Sequence, residues 1–156
     1  MLVVLAVVVV GSLLPKAHQA SGEATVRAKP DAVFAILVDV PAAPTWRTGV
    51  KRAETLSPRD GKTVFKEWGD NGEVTYLVEE SSPPTRLVTR VVDQTAFGGT
   101  WTYELWPEGE GTRIRITERG EVYNPVFRFL SRFFFSPAAS LQRYLQDLKK
   151  RASETL

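Results

Sequence analysis

The C-terminal stretch, residues 123–152, constrains this chain most. Tyr123, Phe127, Leu130, Phe134, Ala138, Leu141, Leu145 and Leu148 advance by three or four positions, the spacing that stacks side chains along one helix face. Residues 50–122 instead alternate apolar and polar side chains with turn residues at short intervals, which predicts successive antiparallel strands. A continuous terminal helix would run about 40 Å at roughly 1.5 Å per residue, enough to cross a small sheet from edge to edge. The predicted order is a strand, two short helices, about six more strands and one long helix. That is an α+β fold in which a curved antiparallel sheet of about seven strands wraps the C-terminal helix, leaving room for a cavity between them.

Local signals set the predicted elements. A first strand over 24–28 stops at Lys29-Pro30-Asp31, and Pro30 suits the first turn of a helix that buries Val33, Phe34, Ile36 and Leu37. Asp39, Pro41 and Pro44 end that helix, and Trp46 follows in a turn or second short helix. Strands are predicted over 50–56, 63–68, 73–80, 86–92, 97–106 and 112–122. Gly69-Asp70-Asn71-Gly72 reads as a hairpin turn whose Asn-Gly pair tolerates positive φ. In the last strand Ile114 and Ile116 oppose Arg113, Arg115 and Arg119, the alternation of a sheet with one wet side. Ser136-Pro137 should kink or split the terminal helix, because proline removes a backbone donor.

The N-terminus reads differently. Residues 1–14 are apolar apart from Gly11 and Ser12, and Pro15, Lys16 and His18 follow at once. Roughly 14 helical residues span about 21 Å, short of the roughly 30 Å hydrocarbon core of a bilayer. A secretory signal would want positive charge ahead of the apolar run and small residues before a cleavage point, and it fits poorly. The organisation expected is a hydrophobic membrane segment with its start missing and a short polar linker, residues 1–21, followed by the folded domain, residues 22–156. A signal peptide and a buried segment are the alternatives. Lys16, Arg27 and Lys29 all follow the apolar run, so the positive-inside tendency places a membrane-anchored domain in the cytoplasm.

Composition removes several kinds of chemistry. A formal charge of +2 with no basic tract interleaved with aromatics argues against nucleic acid as a partner. Cysteine is absent, which excludes a disulfide, a thiolate nucleophile and a Cys-ligated metal. The one histidine, His18, falls outside the predicted fold, which leaves no His-based triad and no multi-His metal site. No metal and no cofactor are expected.

What remains points to a lined pocket. Trp101, Tyr103 and Leu105 share one strand face, opposite Thr100, Thr102 and Glu104, and make the first wall. Phe127, Leu130 and Phe134 on the terminal helix close the other side, with Trp46 and Tyr76 as further aromatic lining. Glu118 continues the phase of Ile114 and Ile116, and Glu67 that of Phe65, so both carboxylates point inward. Each would either pair with arginine, Arg90 or Arg119 being the expected partners of a rim salt bridge, or rise in pKa. In either state it could orient the polar end of a ligand or act as acid or base. The first half of the terminal helix is apolar nearly all round, with Val126, Phe129, Phe133 and Phe135 off the main ladder and Arg128 and Arg132 as relief. Such a segment is buried on all sides or meets something apolar, whether a bilayer, a ligand as a lid, or a second copy.

Pro30-Asp31-Ala32-Val33-Phe34, Asp39, Trp46-Arg47 and Val50 together resemble the opening of the START-like (SRPBCC) superfamily, in its polyketide cyclase/dehydrase and lipid-transport branch. The resemblance covers about 22–152. Gly98-Gly99-Thr100-Trp101, Thr117-Glu118-Arg119-Gly120 and Asn124-Pro125 further resemble a bacterial subgroup with one N-terminal membrane segment. The resemblance implies a helix-grip fold whose cavity binds an apolar ligand, in a family of carriers, ligand sensors and some enzymes. It supplies no shared catalytic motif. Three functions follow as expectations: binding of a hydrophobic small molecule or lipid at a membrane, a cyclase- or dehydratase-type reaction using Glu118 or Glu67, or a non-catalytic interaction domain.

Overall fold

The computed structural model describes residues 1–70 and 72–154. Helix α1 (Leu2–Leu13) is followed by strand β1 (Ala17–Val26), helix α2 (Pro30–Val38), a 3-10 turn (Val40–Ala42) and helix α3 (Ala43–Trp46). Six strands come next: β2 (Val50–Arg59), β3 (Lys62–Gly69), β4 (Gly72–Ser82), β5 (Arg86–Val92), β6 (Phe97–Glu108) and β7 (Gly111–Val122). Helices α4 (Pro125–Phe134) and α5 (Pro137–Ser153) close the chain. The strands form one antiparallel sheet in the order β1-β7-β6-β5-β4-β3-β2. Consecutive strands from β2 to β7 are therefore neighbours, as short connections require, and β1 returns to pair with β7.

Turn chemistry places the connections. Asp60 and Gly61, both at positive φ, join β2 to β3, and Gly109 at φ 58° serves β6 and β7. Gly72 is also at positive φ, while Asn71 of the predicted Asn-Gly turn lies outside the described residues. Strand β1 begins at Ala17, so the polar end of residues 1–21, expected to be a linker, already belongs to the ladder, with Ala20 opposite Glu118.

Register defines the two sheet faces. The inner face carries Ala24 and Val26 of β1, Leu87 of β5, Leu105 of β6 and Ile114 and Ile116 of β7. These pack with Val33, Phe34 and the α5 ladder Leu141, Leu145 and Leu148 in one core. The outer face is wet across β1 and β7, as the alternation in β7 predicts: Glu23 takes hydrogen bonds from both Arg113 and Arg115.

The C-terminal ladder is two helices. Phe135 and Ser136 are extended, and each helix starts with its own cap and a proline in its first turn. Asn124 Oδ1 accepts from the Val126 and Phe127 amides, and Ser136 Oγ accepts from the Ala139 amide. Proline at 137 thus stops one helix and opens the next. Only α5, seventeen residues long, lies on the sheet, mainly against β1, while α4 leaves the sheet and packs on α1.

The expected membrane anchor is overturned. Helix α1 has twelve residues, about 18 Å, and ends where Leu14 turns extended ahead of Pro15. No helix among the described residues is long and apolar enough to cross a membrane. The membrane-anchored chain with a cytoplasmic domain is corrected on that ground.

Leu148 is fully buried between α5 and the sheet. Replacing it with alanine should lower unfolding free energy by about 2–5 kcal/mol, read from urea unfolding. A loss under about 1 kcal/mol would mean that α5 is not an anchor of this core.

Candidate functional site

The region between the inner sheet face and α5 gathers most of the predicted lining. Trp101 and Tyr103 face inward from β6, opposite Glu118 and Ile116 of β7. Tyr76 on β4 stacks on Phe65 of β3, ring centroids 5.0 Å apart, and meets Trp101 edge-on at 5.9 Å. Trp46, at the end of α3, meets Tyr144 of α5 edge-on at 5.5 Å, and Tyr103 lies 5.9 Å from the same ring. Trp46, Glu67, Tyr76, Trp101, Tyr103 and Glu118 therefore share one interior. Phe127, Leu130 and Phe134 do not belong to it. They sit on α4, where Phe127 and Phe134 are 52% and 71% exposed, because the break at 135–136 turns that helix away from the sheet.

Both inward carboxylates have partners other than those expected. Glu67 is buried and ion-paired with Arg47 Nη1. The Arg47 guanidinium also lies 4.8 Å above the Tyr144 ring, a cation–π contact. Glu118 Oε1 meets His18 Nε2 at 2.9 Å. Arg90 and Arg119 occupy the opposite phase, flanking Thr100 on the outer face, and Arg90 pairs there with Glu79. His18, read as lying outside the fold, stands in β1 opposite Gly120, and its ring fills the space a Gly120 side chain would take: a Cβ there would sit 2.3 Å from the ring.

Arg47, Tyr144 and His18 are the site residues that the sequence reading missed. Tyr144 carried a signal, since it falls three residues after Leu141 and four before Leu148 and so shares the ladder's face. Arg47 and His18 carried none in local pattern. Their roles come from contacts between residues 20 and 100 positions apart.

The electrostatics are those of a buried, polar-studded interior. Burial pushes the phenols of Tyr76, Tyr103 and Tyr144 up, and the Glu67 charge adds to it in each case. Burial works to lower the Arg47 guanidinium, but Tyr144 and Glu67 outweigh it and hold the charge in place. Trp46 Nε1 is a buried donor with no acceptor among the described residues, a group that a ligand oxygen would satisfy. No group of three or more metal-ligating side chains is assembled among the described residues.

An open hollow of about 690 Å³, which His18 and Phe97 also border, lies around Gln19, Arg90, Thr100 and Arg119. Register puts the latter four side chains on the outer face, away from α5, where two arginines and open solvent suit an apolar molecule poorly. The aromatic interior is the better candidate.

A seven-stranded antiparallel sheet gripping a C-terminal helix over such an interior is the helix-grip architecture of START-like proteins. The chain belongs to the polyketide cyclase / dehydrase and lipid transport family, whose model matches residues 17–153. Solved structures agree on the fold. A START superfamily protein from Mycobacterium smegmatis superposes with a TM-score of 0.73 at 17% identity, over 89% of this chain and 99% of that one. A protein from Thermus thermophilus gives 0.72 at 21% identity, over 88% and 99%. The Zhui aromatase/cyclase from a Streptomyces species gives 0.69 at 16%, over 88% and 94%. No curated protein matches the chain. At these identities the structures speak to fold alone, and none of them extends the likeness to a subgroup with a membrane segment.

A phenol held higher in the folded than in the unfolded chain contributes stability that is complete below its ordinary value of 10.0 and lost as pH rises through the folded value. Thermal stability should therefore fall as pH is raised past about 10, and fall less in Tyr144→Phe. Parallel melting curves for wild type and variant at about pH 9 and 11 check this, and equal losses would remove Tyr144 from the account.

Proposed function

We propose that this protein binds a hydrophobic small molecule bearing a polar oxygen, a lipid or an aromatic polyketide-like compound, between its sheet and α5. The observation that carries the reading is the aromatic interior of Trp46, Tyr76, Trp101, Tyr103 and Tyr144, built around the buried Arg47–Glu67 pair. The rings offer apolar area, and the Trp46 indole N–H and the tyrosine hydroxyls offer a few placed hydrogen bonds, the mixture that ligand pockets use. Family membership supports the same reading, since that family is described by cyclisation, dehydration and lipid transport.

Native mass spectrometry of the purified chain tests it, together with a fluorescence titration using an anilinonaphthalene sulfonate probe. Because the probe also adheres to exposed apolar helices, two variants separate the sites. Trp101→Ala should weaken the interior component about tenfold, equivalent to roughly 1.4 kcal/mol, whereas Phe134→Ser should leave it unchanged. Loss in Phe134→Ser only, with no co-purifying ligand, would remove the interior as the binding site.

A second reading, proton transfer in a cyclase- or dehydratase-type reaction, is favoured by one contact. Glu118 is paired with His18 rather than clamped by arginine, so the pair could take or give a proton at the edge of the interior. Glu67, held by Arg47, is the poorer acid or base. If this reading holds, Glu118→Gln should cut turnover of a cyclisable substrate by about 100-fold or more while binding persists. Unchanged turnover would exclude Glu118.

A further inference from the structure

Apart from Val38 and Trp106, the large apolar side chains that stand exposed among the described residues all belong to α1, α4 and their immediate flanks. These two helices pack on each other, so their exposed sides adjoin. Arg128 of α4 is 6% exposed and pairs with no carboxylate among the described residues; its guanidinium donates instead to five backbone carbonyls. Nε reaches Val122 O at 2.9 Å and Nη2 reaches Tyr123 O at 2.9 Å. Nη1 is shared among Gly11 O, Leu14 O and Ser12 O at 3.1, 3.1 and 3.5 Å, the open carbonyl end of α1. The contact is close enough that a side chain at Gly11 would meet the Pro125 carbonyl at 2.0 Å. With its arginine turned inward as a cap, the pair presents mainly Leu, Val and Phe outward.

The size of that surface decides what it needs. Tyr123, Phe127, Phe133, Phe134 and Phe135 are 42–71% exposed, so at about 150–250 Å² per ring side chain they offer roughly 550 Å². Leu2, Val3, Val4, Leu5 and Leu13, each more than half exposed, add several hundred more. Monomers rarely expose an apolar patch beyond about 300–600 Å², and a stable dimer hides about 800 Å² per partner. Summed over both helices, the exposed area exceeds the first figure and is of the order of the second. It is also nearly uncharged: α1 has no ionisable side chain, and on α4 only Arg132 adds an exposed charge. A second copy would therefore meet it without opposing like charges across its centre.

We propose that this surface is an isologous dimer interface, the α1–α4 pair of one protomer packing on that of its partner as a four-helix layer. Two helices with an apolar outer side are half of such a bundle and lack the second layer that would bury them. A two-fold axis supplies it from the same surface.

Sedimentation equilibrium and native mass spectrometry of the full chain test this. The expected species has twice the 17.4 kDa chain mass. Phe134→Glu and, separately, Phe127→Glu should each raise the dimer dissociation constant at least about 100-fold with the far-ultraviolet circular dichroism unchanged, while Trp106→Glu, on the sheet, should not. Using two positions on α4 guards against one variant failing to fold. A wild-type chain monomeric to about 100 μM, a dimer that survives both α4 substitutions, or a monomer that instead floats with phosphatidylcholine vesicles would overturn the proposal.

Discussion

Leu145 of α5 rests against Gly22 of β1, and the rest of the molecule depends on how close that contact lets the helix come. A Cβ on Gly22 would stand 2.9 Å from the Leu145 side chain. The bare backbone lets the leucine ladder settle on the inner face, where Leu145 and Leu148 lose essentially all contact with water. With that end of α5 seated, Tyr144 is carried over the sheet to Trp46, Tyr103 and Arg47. The aromatic interior exists because one helix is pinned at its apolar stripe and not over the tyrosines.

That interior is polar where a plain core would be apolar. A buried ion pair costs desolvation that its attraction barely returns, so Arg47 and Glu67 are a poor device for stability. Their placement among three tyrosines and an unsatisfied indole N–H makes better sense as an environment for a ligand with a polar end. His18 and Glu118 extend the same character toward β1 and β7. Apolar area gives such a ligand affinity, and the few polar atoms give it orientation.

Much of this was legible in local pattern. Alternation placed Trp101 and Tyr103 on the wall and turned Glu67 and Glu118 inward, because strand period alone decides which face a side chain takes. Ser136-Pro137 marked the break in the terminal ladder. The ladder itself misled about Phe127, Leu130 and Phe134. Their spacing continues that of Leu141 and Leu145, but two extended residues at 135–136 reset the helix direction, and spacing carries no record of where a helix goes after a break. Arg47 and His18 were invisible because nothing near them in the chain names their partners.

By itself, then, the amino-acid sequence determined the order of the elements and the inward or outward face of the strand residues, both consequences of periods of 2 and about 3.6 residues. Tertiary structure alone decided the partners. Glu118 meets His18 because β1 pairs with β7 in the register that sets His18 against Gly120, leaving Arg119 on the far side of the sheet. Helix α4 joins α1 because Arg128 finds the carbonyl end of that helix and closes it. Both outcomes join residues a hundred or more positions apart, and at that range register and packing choose among many pairings that local pattern leaves equal.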